Sequence, residues 1–423
     1  MRSGMAVGLI SMEVLDPIFS GNGIASRFVA RSMLSRNSTS LFVLCGSKTA
    51  GQGAGLAHRC DREVFEAISP KRKDQSRVKG ISIPLPIWGK LDKNSSYEEF
   101  AAGACDKLVE ETIKIDKVDT FLCVDWSGCY VFHRMKEQGL IVDDAKMIYF
   151  PFCVFHALYS ASNEEVGFYK AEETRSIESA TKVIALCESD LEKLAKLNSK
   201  HRGKIEVLPP PLREDFRAVV LRNSEVVRQR KFITCCLRFT PSKNVKVFCE
   251  AVSIIHEELS ARGIMVVMCG AVIDESYANE CRRVMEESNT RHNIVKDFLD
   301  AQGLQEVLSQ SLVNIHTAPY EAYGMTIVEA AACGSPSIIH EQWRDIGATI
   351  LLPPTSDGGS CYLANMLDAN DLARAILDAI RDQESLGEAS RRARELALSW
   401  DEDKYAERLI EVLDDSKIIT RDG

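Results

Sequence analysis

The sequence has no excess of positive charge and no long apolar run. Its 52 Lys and Arg residues are outnumbered by 61 Asp and Glu residues, which gives a net charge of −9. That balance argues against nucleic acid or an anionic membrane as the main partner. The longest strongly apolar stretch, residues 264–273, is too short to span a bilayer. We therefore expect no transmembrane segment, while a peripheral membrane contact stays open.

Several common site signatures are also missing. The 14 cysteines form no CxxC pair and no Cys/His set at zinc spacing. Many of them, such as Cys45 and Cys269, lie in apolar runs. This is typical of free cysteines, which pack like small hydrophobic side chains. Buried reduced thiols and the lack of a full signal-peptide core in residues 1–12 predict a cytoplasmic location. There is no Gly-x-Ser-x-Gly elbow and no Walker loop, so hydrolase and P-loop chemistry are not indicated.

What is present is the balance of a globular protein with two domains. The 423 residues are too many for one ordinary core, and 45% of them are hydrophobic while 27% are charged. Short apolar runs alternate with helical patterns, which predicts parallel sheets with right-handed crossovers. The predicted strands are 6–12, 41–45, 120–124, 147–150, 182–187 and 205–208 in the first half and 232–237, 265–269, 294–296, 312–317 and 337–340 in the second.

Three prolines, Pro209 to Pro211, follow the last strand of the first series and stop both sheet and helix. We therefore predict an N-terminal Rossmann-like domain at 1–213 and a second at 214–396. Residues 397–423 are predicted to hold a final helix that begins near Ser399. Acids at 401–403 are explained by the start of that helix, where the dipole favours negative charge, so no metal site is predicted there.

The segment 312–340 contains most of the chemistry. Glu321 lies on a loop after an apolar strand, and a helix starts around Thr326. Open α/β sheets bind ligands at the carboxyl ends of their strands, and the N-terminus of the following helix is suited to a phosphate group. Gly324 leaves room for a close backbone approach. Taken alone, however, Thr326 and Glu329 also fit a helix capping box, and Glu321 also fits a solvated loop acid.

The pattern from Glu321 to Pro336 resembles the signature of the family 4 retaining glycosyltransferases. Two glutamates, Glu321 and Glu329, are separated by seven residues, with Tyr323-Gly324 between them and Ala-x-x-x-Gly-x-Pro after them. The resemblance implies the GT-B fold, in which two doubly wound α/β domains of Rossmann type face each other across a cleft. It also implies that Glu321 lies by the transferred sugar and Glu329 binds the ribose. The backbone at Tyr323, Gly324, Met325 and Thr326 would meet the phosphates.

Arg238 and Lys243 follow the first predicted strand of the second half, five residues apart. On their own they are consistent with two solvated surface cations. Together they can hold a diphosphate, and fixed cations lower the barrier when negative charge develops on a leaving phosphate. The family carries Arg and Lys at this spacing, although it usually has Gly where this chain has Leu237. The resemblance implies that both cations are catalytic.

Three features of the first half fit the same family. Gly21-Asn22-Gly23 resembles the glycine-rich loop over the cleft, although these residues also fit a plain turn. Asp125 resembles a residue at a strand end that faces the acceptor, and it fits a helix cap equally well. His156 lies in a segment similar to the family's strand-end histidine segment, where the histidine contacts the donor sugar.

These resemblances predict a retaining glycosyltransferase that moves a sugar from a UDP- or GDP-sugar to a hydroxyl acceptor, with no metal or other cofactor. The acceptor can be a sugar, a lipid or a small molecule. A second enzyme class on the same fold, such as a phosphorylase or an epimerase, is an alternative, although no pyridoxal-binding lysine is identified. A catalytically degenerate protein that only binds nucleotide or glycan is the other alternative.

Overall fold

The computed structural model describes twelve stretches of the chain, and all structural statements below concern them. They are residues 5–16, 20–36, 38–48, 57–68, 74–85, 96–110, 117–157, 163–217, 230–295, 299–343, 347–355 and 359–415. The chain divides into two compact units, one made of Met1–Pro210 with Glu402–Gly423 and the other of Pro211–Asp401. Both are α/β units with mainly parallel sheets.

The first unit has an eight-stranded sheet within the described residues. Its strands are β1 (Ala6–Ser11), β2 (Ser40–Lys48), β3 (His58–Arg59), β4 (Val78–Leu85), β5 (Val118–Val124), β6 (Lys146–Phe150), β7 (Lys182–Ala185) and β8 (Ile205–Val207). Their order in the sheet is β3-β4-β2-β1-β5-β6-β7-β8, and only β3 pairs antiparallel. The helices that follow them are α1 (Gly21–Leu34), α2 (Asp61–Ile68), α3 (Ser96–Glu110), α4 (Asp125–Glu137), α5 (Asn163–Ser179) and α6 (Glu188–Leu197).

The second unit has a six-stranded sheet in the part of the chain that the structure describes, and all its pairs are parallel. Its strands are β9 (Phe232–Cys236), β10 (Met265–Cys269), β11 (His292–Val295), β12 (Ser311–Ile315), β13 (Ser337–His340) and β14 (Cys361–Ala364), in the order β11-β10-β9-β12-β13-β14. Its helices are α7 (Glu214–Arg217), α8 (Val245–Ile254), α9 (His256–Ala261), α10 (Glu275–Glu287), α11 (Ala301–Ser309), α12 (Met325–Ala332), α13 (Ala369–Arg381) and α14 (Gln383–Ser399).

Each sheet is the centre of its own hydrophobic core. Ile10, Phe121 and Tyr149 are fully buried in the first unit, and Phe248 and Ile315 are fully buried in the second. Burying a large apolar side chain contributes about 1.5–3 kcal/mol. Strands covered by helices on both faces are apolar nearly throughout, as β1 and β10 are. This explains why short continuous apolar runs predicted the strands.

The end of the chain differs from the prediction in one detail. Ser399 is the last residue of α14, and the final helix α15 (Glu402–Asp415) begins three residues later. This helix packs on α1, where the rings of Tyr405 and Phe28 lie 4.9 Å apart and Arg31 Nε donates to Glu402 at 2.5 Å. Among the described residues, no helix is both long enough and apolar enough to cross a membrane.

Candidate active site

The topology brings two predicted site segments to one edge of the second sheet. From β9 the chain builds β10 and β11 on one side and then returns to place β12 on the other side. The carboxyl ends of β9 and β12 therefore flank a topological switch point, where open α/β sheets bind their ligands. Arg238 and Lys243 follow β9, and Glu321 follows β12.

Lys243 and Glu321, two predicted catalytic residues, form an ion pair at this switch point. Lys243 ends the 3₁₀ turn Pro241–Lys243, and its Nζ contacts Glu321 Oε2. Both side chains are largely buried, with exposed fractions of 13% and 22%. The backbone of Lys243 is held as well, because Thr317 Oγ1 donates to its carbonyl oxygen at 2.7 Å. The pair thus joins segments that lie 78 residues apart in the sequence.

The surroundings of Glu321 keep its carboxyl group ionised. Burial by itself raises the pKa of Glu321, but the charge of Lys243 and the nearby His316 outweigh it and hold the pKa well below its usual range. Glu321 Oε1 also accepts a hydrogen bond from the backbone N–H of Ala322 at 3.2 Å. Glu321 is therefore an anchored carboxylate, suited to accepting hydrogen bonds from hydroxyl groups.

His316 is a site residue that the sequence analysis missed. It follows β12 directly and is 2% exposed, with Nε2 3.5 Å from Glu321 Oε2. Burial lowers the pKa of His316, so the ring is neutral near pH 7. The sequence analysis placed it inside the predicted strand 312–317, whereas β12 ends at Ile315 and leaves His316 at the edge of the sheet that faces the switch point.

Helix α12 begins at Met325 and is preceded by a glycine, not by a capping box. Gly324 is the N-cap residue with φ +87°, and a Cβ there would lie 2.6 Å from Ile327 Cδ1. Only glycine adopts this left-handed conformation without strain. Thr326 lies inside the helix, so the capping-box interpretation of Thr326 and Glu329 is wrong. The first N–H groups of α12, which lack intrahelical acceptors, follow directly after the Glu321 loop.

Glu329 is buried and paired with an arginine that the sequence analysis did not identify. Arg213 Nη1 donates to Glu329 Oε1 at 3.1 Å and Nη2 to Asp215 at 2.8 Å. Glu329 is 3% exposed. Tyr323 and Met325 line one small pocket together with this pair. No local pattern relates Arg213 to Glu329, which is 116 residues further along the chain.

Arg238 does not take part in the ion pair of Lys243 and Glu321. It follows β9 closely, is partly exposed, and its guanidinium makes no ion pair or hydrogen bond to the described residues. Its backbone carbonyl accepts from Thr240 N at 3.0 Å. The structure therefore brings together Lys243 and Glu321, and it leaves the guanidinium of Arg238 without a protein partner in the described ranges.

The first unit has a corresponding constellation at its own switch point, between β1 and β5. Gly21, Asn22 and Gly23 form the first turn of α1, not a separate loop, because Ser20 caps the helix by accepting from Asn22 N at 3.1 Å. Asn22 Nδ2 lies 2.5 Å from Asp125 Oδ2.

Glu13, which the sequence analysis missed, fixes the start of α1. It accepts hydrogen bonds from both the backbone N–H and the hydroxyl of Ser20. A Cβ at Gly23 would lie 2.8 Å from Glu13 Cγ, so the glycine makes room for this buried acid.

Asp125 is buried at the end of β5 and is hydrogen-bonded to the start of α1 and to the segment after β6. It has φ +53°, is 4% exposed, and its Oδ1 accepts from the backbone N–H groups of Phe152 and Cys153 at 2.8 and 3.3 Å. Burial raises the pKa of Asp125 to about 8, with the charges of Glu173 and Glu13 adding to the effect and the two N–H bonds opposing it. Asp125 begins α4 at the end of β5.

His156 is held by a fully buried acid, Glu173 of α5. The two side chains meet with His156 Nδ1 2.5 Å from Glu173 Oε2. Glu173 also accepts from the backbone N–H of Phe155 at 2.8 Å. An imidazole fixed through Nδ1 presents its Nε2 to ligands in a set orientation. Nothing in the local sequence identifies Glu173 as the partner of His156.

No group of three or more potential metal ligands from His, Cys, Asp and Glu occurs in the described ranges. All 14 cysteines are free thiols.

Solved structures with the same fold cover nearly the whole chain. The sucrose-phosphate synthase of Thermosynechococcus elongatus matches with a TM-score of 0.73 at 15% identity, over 98% of this chain and 99% of that chain. A trehalose-6-phosphate protein of E. coli, solved with bound UDP-2-fluoro glucose, matches with a TM-score of 0.70 at 14% identity, over 98% and 99%. HepE of Anabaena, in complex with UDP and glucose, matches with a TM-score of 0.68 at 15% identity, over 97% and 100%. The fold predicted from the sequence, GT-B, is therefore confirmed.

The sequence of the second half of the chain matches one family model. Residues 220–396 match the family model of the glycosyl transferases group 1. The protein is a glycosyltransferase, as the sequence predicted. No curated protein matches the chain significantly.

Proposed function

We propose that the protein is a retaining transferase that moves a sugar from a UDP- or GDP-sugar to a hydroxyl acceptor. The observation that carries this proposal is the Lys243–Glu321 pair at the switch point of the second sheet, on the loop that leads into helix α12. Binding a diphosphate requires cations and N–H donors. Binding a sugar requires a fixed group that accepts hydrogen bonds from its hydroxyl groups. This edge of the sheet offers all three. Two similar structures hold UDP or UDP-2-fluoro glucose, which supports a nucleotide donor.

In this proposal the second domain binds the donor. Arg238, Lys243 and the N–H groups at Met325 and Thr326 hold the diphosphate and stabilise the negative charge that it gains as it leaves. Glu321 accepts hydrogen bonds from the sugar hydroxyls, and Glu329 accepts them from the ribose in the pocket at Tyr323. The pairing of Glu329 with Arg213 fixes its carboxylate while leaving Oε2 for a hydroxyl group.

The transfer itself needs no protein nucleophile. The bond between the anomeric carbon and the diphosphate oxygen breaks, and the bond to the acceptor oxygen forms on the same face of the sugar. The acceptor proton passes to an oxygen of the departing diphosphate. Within the first unit, His156 held by Glu173 is a candidate for contacting the transferred sugar, and the segment at Asn22 and Asp125 for contacting the acceptor.

Calorimetric titration with UDP and with GDP, without metal, tests the donor site. We expect micromolar binding of one nucleotide to the wild type and at least a ~10-fold loss in Arg238→Ala, the effect of losing one charged hydrogen bond. Arg262→Ala is the control, since Arg262 pairs with Glu258 on a surface helix. If folded protein binds neither nucleotide, the donor site is wrong. Binding without any turnover would favour the catalytically degenerate alternative.

A further inference from the structure

His316 lies between Glu321, which is proposed to bind the sugar, and the first turn of α12, which is proposed to bind the diphosphate. It follows β12, and its backbone N–H is anchored to Ile338 O on β13 at 2.9 Å. The ring is buried, so it cannot exchange its protein contacts for bulk water. One ring nitrogen faces the Glu321 loop and the other faces the first turn of α12.

The partners of the two ring nitrogens define one tautomer. Nε2 lies 3.5 Å from Glu321 Oε2, which is a carboxylate oxygen and can only accept. Nδ1 lies 3.3 Å from Thr326 Oγ1, which can donate its hydroxyl proton. A neutral imidazole with its proton on Nε2 fits this arrangement: Nδ1 accepts from Thr326 Oγ1, and the Nε2 proton lies near the Glu321 carboxylate without forming a hydrogen bond to it. The charged groups that face the ring are Glu321 and Lys243, one of each sign.

The orientation of the ring is fixed by packing. The indole of Trp343 lies against it, with ring centroids 5.5 Å apart and an angle of 56° between the planes. Trp343 is itself 2% exposed, and its Nε1 donates to Pro319 O at 3.3 Å, on the loop that carries Glu321. The ring therefore cannot rotate away from Glu321 without displacing the indole.

Lys243 and His316 converge on the same oxygen, Glu321 Oε2. The proposed function, on which this inference rests, directs Lys243 toward the donor diphosphate. Whenever the ammonium turns to the phosphates, Glu321 loses its strongest partner. His316 remains, on a backbone that does not depend on the donor.

We propose that His316 is a positioning residue that holds the Glu321 carboxylate toward the sugar while Lys243 serves the diphosphate. Through Thr326 it also sets the distance between the sugar-binding carboxylate and the phosphate-binding end of α12. His316 acts through these two residues and does not itself touch the reacting atoms. Its loss should therefore reduce turnover and leave nucleotide binding nearly unchanged.

Three substitutions separate its roles. His316→Gln can place an amide N–H near the position of Nε2 and keep the contact with Glu321. His316→Asn reaches only the Nδ1 position, toward Thr326. His316→Phe keeps the packing against Trp343 and removes both polar contacts. His256→Gln is the control, because His256 begins α9, after α8 has led the chain away from the carboxyl ends of the strands.

Turnover is measured as release of nucleoside diphosphate from whichever of UDP-glucose, UDP-N-acetylglucosamine and GDP-mannose the wild type cleaves fastest. Binding of UDP or GDP is measured by calorimetry on the same proteins. We expect His316→Asn and His316→Phe to lower kcat by ~10–100-fold, part of the loss seen when an electrostatic stabiliser is removed outright. Their nucleotide Kd should stay within about threefold of wild type, a difference below one hydrogen bond. His316→Gln should retain most of the turnover.

Equal turnover in wild type, Asn and Phe variants would overturn the proposal. So would a Gln variant as slow as the Asn variant, because the contact with Glu321 would then not be the one that matters. The Gln and Asn comparison stands even if the Phe variant fails to fold. A wild type that neither binds nucleotide nor releases it from any of the three donors would instead overturn the proposed function, and this inference with it.

Discussion

Lys243 Nζ contacts the same carboxylate oxygen of Glu321, Oε2, that lies 3.5 Å from His316 Nε2. A cation expected at the diphosphate and an acid expected at the sugar are therefore in direct contact with each other. Substitutions of either residue should affect the same chemical step.

We predict that Glu321→Ala and Lys243→Ala each lower turnover by at least ~100-fold, the size of effect found when a preorganised electrostatic group is removed. Lys246→Ala is the matched control. Lys246 lies three residues further on, is 38% exposed and pairs with Glu280 on the surface, so its loss should leave turnover unchanged. The measurement is the steady-state rate of nucleoside diphosphate release by the wild type and the three variants. Unchanged rates in both site variants would show that the assignment is wrong.

Gly324→Ala should damage the phosphate-binding end of α12. Alanine at φ +87° is strained by about 1–2 kcal/mol, and its Cβ would lie 2.6 Å from Ile327 Cδ1. We expect a lower unfolding temperature and at least ~10-fold weaker nucleotide binding, equivalent to about 1.4 kcal/mol. Gly387→Ala in helix α14 is the control, because nothing lies within 4 Å of its added Cβ. That variant should gain about 0.5–1 kcal/mol of stability. Equal nucleotide affinity in both variants would contradict the role of Gly324.

Removing Arg213 should leave Glu329 as a buried charge without its cation. Breaking such a pair by removing one partner typically costs about 3–5 kcal/mol, so we expect Arg213→Met to lose a large part of the stability of the second unit. Restoring neutrality with the double variant Arg213→Met, Glu329→Gln should recover much of that loss. Urea unfolding measures the free energy of unfolding of both variants. Arg262→Met is the control, because it removes one partner of an exposed ion pair and should lower that free energy by under about 1 kcal/mol. A double variant no more stable than the single one would show that charge burial is not the cause.

Asp125 should make the first unit more stable at lower pH. Burial raises the pKa of Asp125 to about 8 from its ordinary value of 3.8. The folded state therefore holds a proton that the unfolded chain releases between these values, and its stabilising effect is lost as the pH rises from 4 to 8. In Asp125→Asn the amide oxygen can still accept from the backbone N–H groups of Phe152 and Cys153, but the side chain no longer binds or releases a proton. The substitution should stabilise the protein at pH 8, with the advantage shrinking toward pH 4.

Thermal midpoints of the wild type and Asp125→Asn between pH 4.5 and 8 test this expectation. Asp119→Asn is the control, since Asp119 is an exposed residue of the same strand. A difference between wild type and Asp125→Asn that does not change with pH would mean that Asp125 is ionised in the folded protein throughout.

Strand and helix positions were largely predictable because they depend on local patterns. Buried parallel strands require continuous apolar runs, and the predicted strand at 265–269 matches β10 residue for residue. The strands β3, β4 and β14 and the helices α2 and α3 were not predicted, although β4 is a largely apolar run like the strands that were. Helix starts were less predictable. Helix α12 follows the left-handed backbone of its N-cap residue Gly324, and the Thr-x-x-Glu pattern that suggested a capping box lies inside the helix.

The sequence by itself determined the fold class, the glycosyltransferase signature and the candidate residues Arg238, Lys243, Glu321 and Glu329. The fold class follows from the alternation of apolar runs and helical patterns, and the candidate residues follow from a spacing that resembles a known family. Only the tertiary structure decided which groups meet, because the partners are far apart in sequence: 78 residues for Lys243 and Glu321, 103 for Asn22 and Asp125, and 116 for Arg213 and Glu329. Strand order sets such contacts, since it decides which strand ends become neighbours at a switch point. The charge states of Glu321 and Asp125 follow from those neighbours and from burial, neither of which is written in the local sequence.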